Sequence, residues 1–283
     1  MSATVPNFDS PVQSTPLCKV AVVAAAEALR DRAGEVAREL HLPLIESPTR
    51  TQCEFDLLLM VRPDGLAVAP TDSASGGALR VDFVRGPTAY RRVAAGGRRQ
   101  PLALAVGLKR GRPAVFDATA GLGRDSFLLA CLGCRVTAVE RSPVLEALLC
   151  DALERGRAAG NKQLSAALDR IRLVCGDSRE VLRLLVSADA PDVVYIDPMF
   201  TPREKSALAK KEMRICRMLV GDDSDAAELL DAARAVARRR VVVKRQRKAP
   251  PLASGVSVSH RGRVVRYDVY LQTSSQGDVA ATK

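Results

Sequence analysis

Apolar and polar positions follow one pattern up to about residue 100 and another after it. In the first part, LCKVAVVAAA (17–26) is an apolar run that predicts a strand. AEALRDRAGEVARELH (26–41) spaces its apolar residues near helical intervals and predicts a helix. FDLLLMVRPDGLAVAP (55–70) is two apolar runs around Pro-Asp-Gly and predicts a hairpin. LRVDFV (79–84) predicts a further strand, whereas residues 1–16, polar and rich in Pro and Ser, predict a loose tail.

After residue 100, apolar strands alternate with helical patterns. Strands are predicted at AVFDATAG (114–121), CRVTAVER (134–141), RIRLVCGDS (170–178), DVVYIDPMF (192–200), RRVVVKR (239–245) and VVRYDVYLQ (264–272). Helices are predicted at PLALAVGL, RDSFLLACLG, PVLEALLCDALERGRAAG and REVLRLLV, and through 225–237. Strands separated by helices pair in parallel, so the expected fold is α/β, a doubly wound, mostly parallel, Rossmann-like sheet. The connection 246–263 holds two prolines and no helical pattern, which makes the last strand antiparallel. The chain thus divides into a small N-terminal α/β subdomain with a glycine- and arginine-rich linker (1–99) and a main domain (100–283).

Composition narrows the partner. Hydrophobic residues make up 47% of the chain, enough for a sizeable core. Lys and Arg number 43 against 32 Asp and Glu, and the net charge of +11 favours an anionic partner such as nucleic acid. The seven cysteines are odd in number and irregularly spaced, which argues against a disulfide framework and fits a reducing, cytoplasmic compartment. Cys131 and Cys134 form a lone CxxC with no second pair, and the two histidines, His41 and His260, lie far away, so no metal site is expected. No run reaches the roughly 18 to 20 apolar residues of a membrane span, and Val20–Ala26 is too short for a signal segment.

Four strand exits carry polar residues, and ligands of open α/β sheets lie beyond such exits. The first strand of the second part ends at Asp117; Gly121 and Gly123 then permit a tight turn, and Arg124-Asp125 open a helix. Ser126 stands where the third glycine of a dinucleotide fingerprint would be. The next strand ends at Glu140-Arg141, a carboxylate suited to ribose hydroxyls beside a guanidinium suited to stacking or local pairing. The third ends at Asp177-Ser178; Asp177 suits either an adenine amino group or the cap of the following helix. The fourth ends in Asp197-Pro198-Met199-Phe200.

That last stretch resembles the Asp/Asn-Pro-Pro-aromatic motif of methyltransferases that act on exocyclic amino groups. Glycine turn, two carboxylate exits and amine-holding loop, in that order, resemble a class I S-adenosylmethionine-dependent methyltransferase. DATAGLGRDSF, GCRVTAVERSPV, VVYIDPMF, KSALAKKEMR and RVVVKR, with VDFVRG, AYRR and GGRR before them, make the chain similar to the ribosomal RNA small subunit methyltransferase J family over residues 79–272. The resemblance implies S-adenosyl-L-methionine as methyl donor and 16S rRNA, or the small ribosomal subunit, as partner. It implies transfer to the N2 amine of a guanosine, number 1516 in customary rRNA numbering.

It also implies site roles. It places the donor at Arg124, Asp125, Glu140, Arg141, Asp177, Ser178 and Asp197; the strand exits read above add Asp117, Gly121 and Gly123 to the donor site, and make Asp197 and Phe200 the residues that act on the base. Beyond the resemblance, Phe200 or Tyr90 is expected to stack the guanine. Arg91, Arg92, Arg98, Arg99, Lys205, Lys210, Lys211, Lys244 and Arg245 are candidates for backbone phosphates, with pairing to local acids such as Glu204 and Glu212 the alternative for some of them. The chain has Asp177 in place of the family's first Ser, Thr201-Pro202 in place of Pro-His, and Tyr90 in place of His. Three alternatives stay open: an adenine-N6 methyltransferase, a nicotinamide-dependent oxidoreductase and a non-catalytic RNA-binding protein.

Overall fold

The computed structural model describes residues 18–46, 54–72, 77–85, 97–185, 187–199, 207–221 and 224–272. Among the described residues the strands form two sheets. In the smaller, β1 (Val20–Ala24) lies between β2 (Leu44–Ile45) and β3 (Leu57–Arg62), parallel to both, and β4 (Gly65–Pro70) closes the predicted hairpin. Helix α1 (Arg30–Glu39) buries Ala33, Val36 and Ala37, the residues its helical spacing places on one face.

The larger sheet is built from β5 (Ala114–Asp117), β6 (Arg135–Glu140), β7 (Ile171–Cys175), β8 (Val193–Ile196), β9 (Arg240–Gln246), β10 (Val258–Arg261) and β11 (Val265–Leu271). Their order is β10-β11-β9-β8-β5-β6-β7. Strands β5 to β9 pair in parallel; β11 runs antiparallel to β9, and β10 antiparallel to β11. All of β8 is buried, as expected for a central parallel strand covered on both faces. The helices are α2 (Pro101–Ala105), α3 (Arg124–Cys131), α4 (Pro143–Ala158), α5 (Lys162–Leu168), α6 (Ser178–Leu184), α7 (Ala207–Val220) and α8 (Ala226–Val236).

Four differences from the sequence-based expectation have physical causes. Residues 79–84 bury Leu79, Val81 and Phe83, but only Leu79 pairs with a strand, at Val68, and the chain bends from Phe83 onward. Asp82 accepts the amide hydrogens of Val84 and Arg85 and turns the chain away. Alternation there reports burial, not a ladder partner. Helix α5 was not expected; it is seven residues long and depends on Asn161, which caps the amides of Gln163 and Leu164. Helix α7 takes in the ALAKKEMR part of the basic tract, and β10 lies in the proline-containing connection where no strand was placed.

The two sheets are joined through one apolar cluster. Phe83 meets Phe127 of α3 at 4.6 Å between ring centroids, and Arg155 of α4 donates to the Val81 carbonyl at 2.7 Å. This packing seats α3 and α4 firmly, and the turns at their N-termini form part of a cleft at the strand ends.

Candidate active site and family

The larger sheet reverses its winding at β5. From there the chain steps outward to β6 and β7, then returns to β8 on the opposite side of β5. Such a reversal leaves a crevice at the carboxyl ends of the strands. A cavity of about 300 Å3 lies there, lined by all four predicted strand exits.

The loop after β5 is held by carboxylates. Asp117 is buried; one of its oxygens accepts the Thr119 amide hydrogen at 3.1 Å and the other the Ser126 hydroxyl at 2.5 Å. Burial pushes its carboxyl up to about 7. Ser126, the residue that spoils the dinucleotide fingerprint, therefore ties helix α3 to the end of β5. Glu140, also buried, accepts the Gly121 amide hydrogen at 2.8 Å and the Ser142 amide hydrogen at 2.8 Å. The turn needs both glycines, whose φ angles are +53° and +68°. A Cβ on Gly123 would lie 2.6 Å from Leu149, whereas one on Gly121 would meet only the Thr119 carbonyl, at 3.9 Å. Gly121 lines the cavity, so its backbone is open to a ligand.

Beyond β6 and β7 the cavity wall is apolar, formed by Val139, Leu145, Val220, Ala226 and Leu229. A charged network frames it. Arg141 pairs with Asp225 at 3.0 Å, and Arg179 pairs with Asp177 at 2.6 Å and Asp225 at 3.4 Å. Asp177 caps α6 through the Arg179 amide, so of its two readings the geometry has the capping one. Its carboxyl is lowered, chiefly by the Arg179 hydrogen bonds. Ser178 donates to the Ala118 carbonyl at 2.7 Å and links α6 to the β5 loop.

At the other end of the cavity, register decides the chemistry. Ile196 of β8 pairs with Val243 of β9, so Asp197 and Lys244 follow side by side. Lys244 donates to Asp197 Oδ2 at 2.7 Å and to Asp125 Oδ2 at 2.8 Å, and the Tyr195 hydroxyl donates to Asp125 Oδ2 at 2.6 Å. Burial opposes the lysine's charge, but the Asp197 and Asp125 carboxylates outweigh it and raise its pKa well above 10.5. Burial alone would raise Asp125; the adjacent ammonium holds it below the usual range. The Asp197 amide hydrogen goes to Thr119 Oγ1 at 2.7 Å, fastening the β8 exit to the β5 loop.

A family model described as putative SAM-dependent methyltransferase matches residues 43–272. A ribosomal RNA small subunit methyltransferase J of Thioalkalivibrio sulfidiphilus is 50% identical over 256 residues, which cover 89% of this chain and 98% of that one. The protein of that name from Pseudomonas aeruginosa (strain LESB58) is 48% identical over 251 residues, covering 88% and 93%. The chain belongs to the ribosomal RNA small subunit methyltransferase J family. The crystal structure of the SAM-dependent methyltransferase NGO1261 from Neisseria gonorrhoeae superposes with a TM-score of 0.67 at 32% identity, over 92% of this chain and 99% of that one. The fold is that of a Rossmann-like methyltransferase.

S-adenosyl-L-methionine is the family's cofactor, and the residues present fit it. An open glycine turn, a strand-end carboxylate and an apolar wall suit a nucleoside carrying a charged tail. Two cations expected to meet RNA phosphates, Lys244 and Arg245, stand elsewhere. Lys244 lies in the cleft between two carboxylates, not on the surface. Arg245 is buried and donates twice to the Pro250 carbonyl, at 3.0 and 2.8 Å, so it fixes a loop instead of meeting phosphates. Arg124 reaches to Glu212 of α7 at 2.6 Å, across the cleft mouth. Arg99 is exposed and Lys211 half-buried. Tyr90, Arg91, Arg92, Phe200 and Lys205 lie outside the described residues, as do the side chains of Arg98 and Lys210. Thr119, Arg179, Tyr195 and Asp225 line the cavity without a distinct sequence signal. Among the described residues no group of His, Cys, Asp or Glu could hold a metal ion, and no helix is long and apolar enough to cross a membrane.

Proposed function

We propose that this protein transfers the methyl group of S-adenosyl-L-methionine to the exocyclic N2 amine of a guanosine in 16S rRNA, guanosine 1516 in customary numbering. The observation that carries the reading is the Asp197 carboxylate at the exit of β8, beside the cofactor cleft, in a chain so similar to ribosomal RNA small subunit methyltransferases J. The boundary near residue 99, with a main catalytic domain after it, belongs to the same proposal.

When bound, S-adenosyl-L-methionine supplies a methyl group already activated on a sulfonium. The work left to the chain is orientation. Glu140 is suited to accept the ribose hydroxyls, and the apolar wall from Val139 to Leu229 to cover the adenine. The guanine amine is a poor nucleophile because its lone pair is delocalised into the ring. Asp197 accepts its N–H bonds, which draws the nitrogen toward tetrahedral geometry and localises the lone pair. The amine nitrogen would give up one proton as it gains the methyl group, and Asp197 or water would be the acceptor. Phe200 and Tyr90 are the candidates for stacking on the base, which has to leave any helix to reach the cleft. The +11 charge and the exposed arginines favour contact with the RNA backbone.

Labelled methyl transfer onto small-subunit particles that lack the modification, with mapping of the product, tests the proposal. Label on guanosine N2 at one position supports it. Label on adenine N6 instead transfers the reading to the rival amine, which an Asp-Pro-Met-Phe loop serves equally well.

A further inference from the structure

We propose that Lys244 is a positioning residue for the methyl-accepting amine: it locks the Asp197 carboxylate through Oδ2 and is itself locked by Asp125, which Tyr195 secures from behind. The inference rests on the proposed role of Asp197 and adds the means by which that carboxylate is held.

Three elements bring the four groups together: α3 carries Asp125, β8 and its exit carry Tyr195 and Asp197, and β9 carries Lys244. One ammonium touches two carboxylates at 2.8 and 2.7 Å, so Asp125 and Asp197 are near neighbours. Asp117 is close enough to feel both of them, while Arg124 supports Asp125 from the mouth of the cleft. Tyr267 of β11 also faces Lys244, and its ring lies 6.5 Å from that of Tyr195. The site thus sets two carboxylates on a single part-buried ammonium, with Asp117 close to both of them. An acceptor for an amine N–H has to be ionised and fixed in direction, and Lys244 provides both conditions for Asp197. Its side chain is only 23% exposed, which leaves little of it for a phosphate.

Substitution by methionine separates this role from a merely structural ion pair. In K244M the Asp125 and Asp197 carboxylates, with Asp117 near both, lose the ammonium between them, and like charges so close share a proton. The acid limb of the kcat profile is expected to move up by at least about one pH unit, with kcat at pH 7 down about tenfold or more. Affinity for S-adenosylhomocysteine, measured by calorimetry, is expected within about threefold of wild type, because Lys244 does not contact the adenosine wall. The charge-balanced double variant K244M/D125N removes one charge of each sign and serves where K244M does not fold. There the limb returns toward its wild-type position, yet kcat stays down about fivefold or more, since Oδ2 is no longer held. A K244M enzyme with an unmoved limb and wild-type kcat, or a double variant with wild-type kcat, overturns the proposal. D197N is run alongside: if it is inactive while K244M is normal, only the role of Lys244 falls; if D197N is active, the reading of Asp197 falls with it.

Discussion

The Glu140 carboxylate accepts the amide hydrogen of Gly121 at 2.8 Å, so the exit of β6 holds open the turn that follows β5. The hydrogen bond joins two cleft-lining segments 19 residues apart in sequence. A glutamine in this position would place an NH2 group toward one of the two backbone N–H donors that Glu140 now receives. E140Q is therefore expected to bind S-adenosylhomocysteine at least about tenfold more weakly, a loss typical of a charge-assisted hydrogen bond. Calorimetric titration measures it; unchanged affinity would show that the loop is held by other means.

The two turn glycines separate binding from folding. Gly123 has φ +68°, and a Cβ there lies 2.6 Å from Leu149 and 3.3 Å from Phe83, in the core that joins the two sheets. Replacing it with alanine combines backbone strain with overpacking, at a cost of about 2–4 kcal/mol. Gly121 has φ +53° but no close neighbour, and it faces the cleft. G121A is expected to lose about 1 kcal/mol of stability and, in addition, cofactor affinity. Urea denaturation and calorimetry on both variants check the contrast, which fails if G121A is the less stable of the two.

Asp117 gives the stability a pH dependence of definite sign. Burial raises its folded pKa to about 7 from the ordinary 3.8. The folded state therefore holds a proton that the unfolded chain has released between these values. The contribution is fully present below 3.8 and is lost as pH rises through about 7. D117N keeps a neutral group throughout. Thermal melts from pH 5 to 8 are expected to show the wild type falling relative to D117N as pH increases, and a constant difference would contradict the burial argument.

The period of apolar residues made the main sheet legible, because buried parallel strands read as short apolar runs bounded by turns. Four polar strand exits followed from it, and all four line one cavity. What could not be read was the partner of each polar group. Lys244 looked like one more cation in a basic chain; its partners Asp125 and Asp197 stand 119 and 47 residues away, and it takes the pairing of Ile196 with Val243 and the placement of α3 to bring them together. Asp225 lies before α8 with nothing local to mark it, yet it receives both Arg141 and Arg179. Helix α7 was obscured by its own charge: Ile215, Cys216 and Leu219 are buried among basic neighbours.

The same distinction between buried and exposed cations governs RNA binding. Arg245 is buried and spends two donors on the Pro250 carbonyl, and Arg266 beside it holds Asp268 at 2.8 Å and the carbonyls of Gln246, Arg247 and Ala249. These buried guanidinium groups brace the loop after β9, and burial leaves little of either for a phosphate. Arg99 is exposed and lies in the basic linker. Removing one cation from an RNA phosphate should reduce the slope of log K against log salt by about 0.7–0.9. R99A is thus expected to lower that slope without changing the melting temperature. R245A should do the reverse, losing about 2–4 kcal/mol of stability as the Pro250 carbonyl is left unpaired and a cavity forms. Fluorescence anisotropy with a small-subunit RNA fragment across a salt series, paired with thermal melts, reads both quantities. A reduced slope in R245A with unchanged stability would mean that the loop opens on RNA and delivers its buried cation to the backbone.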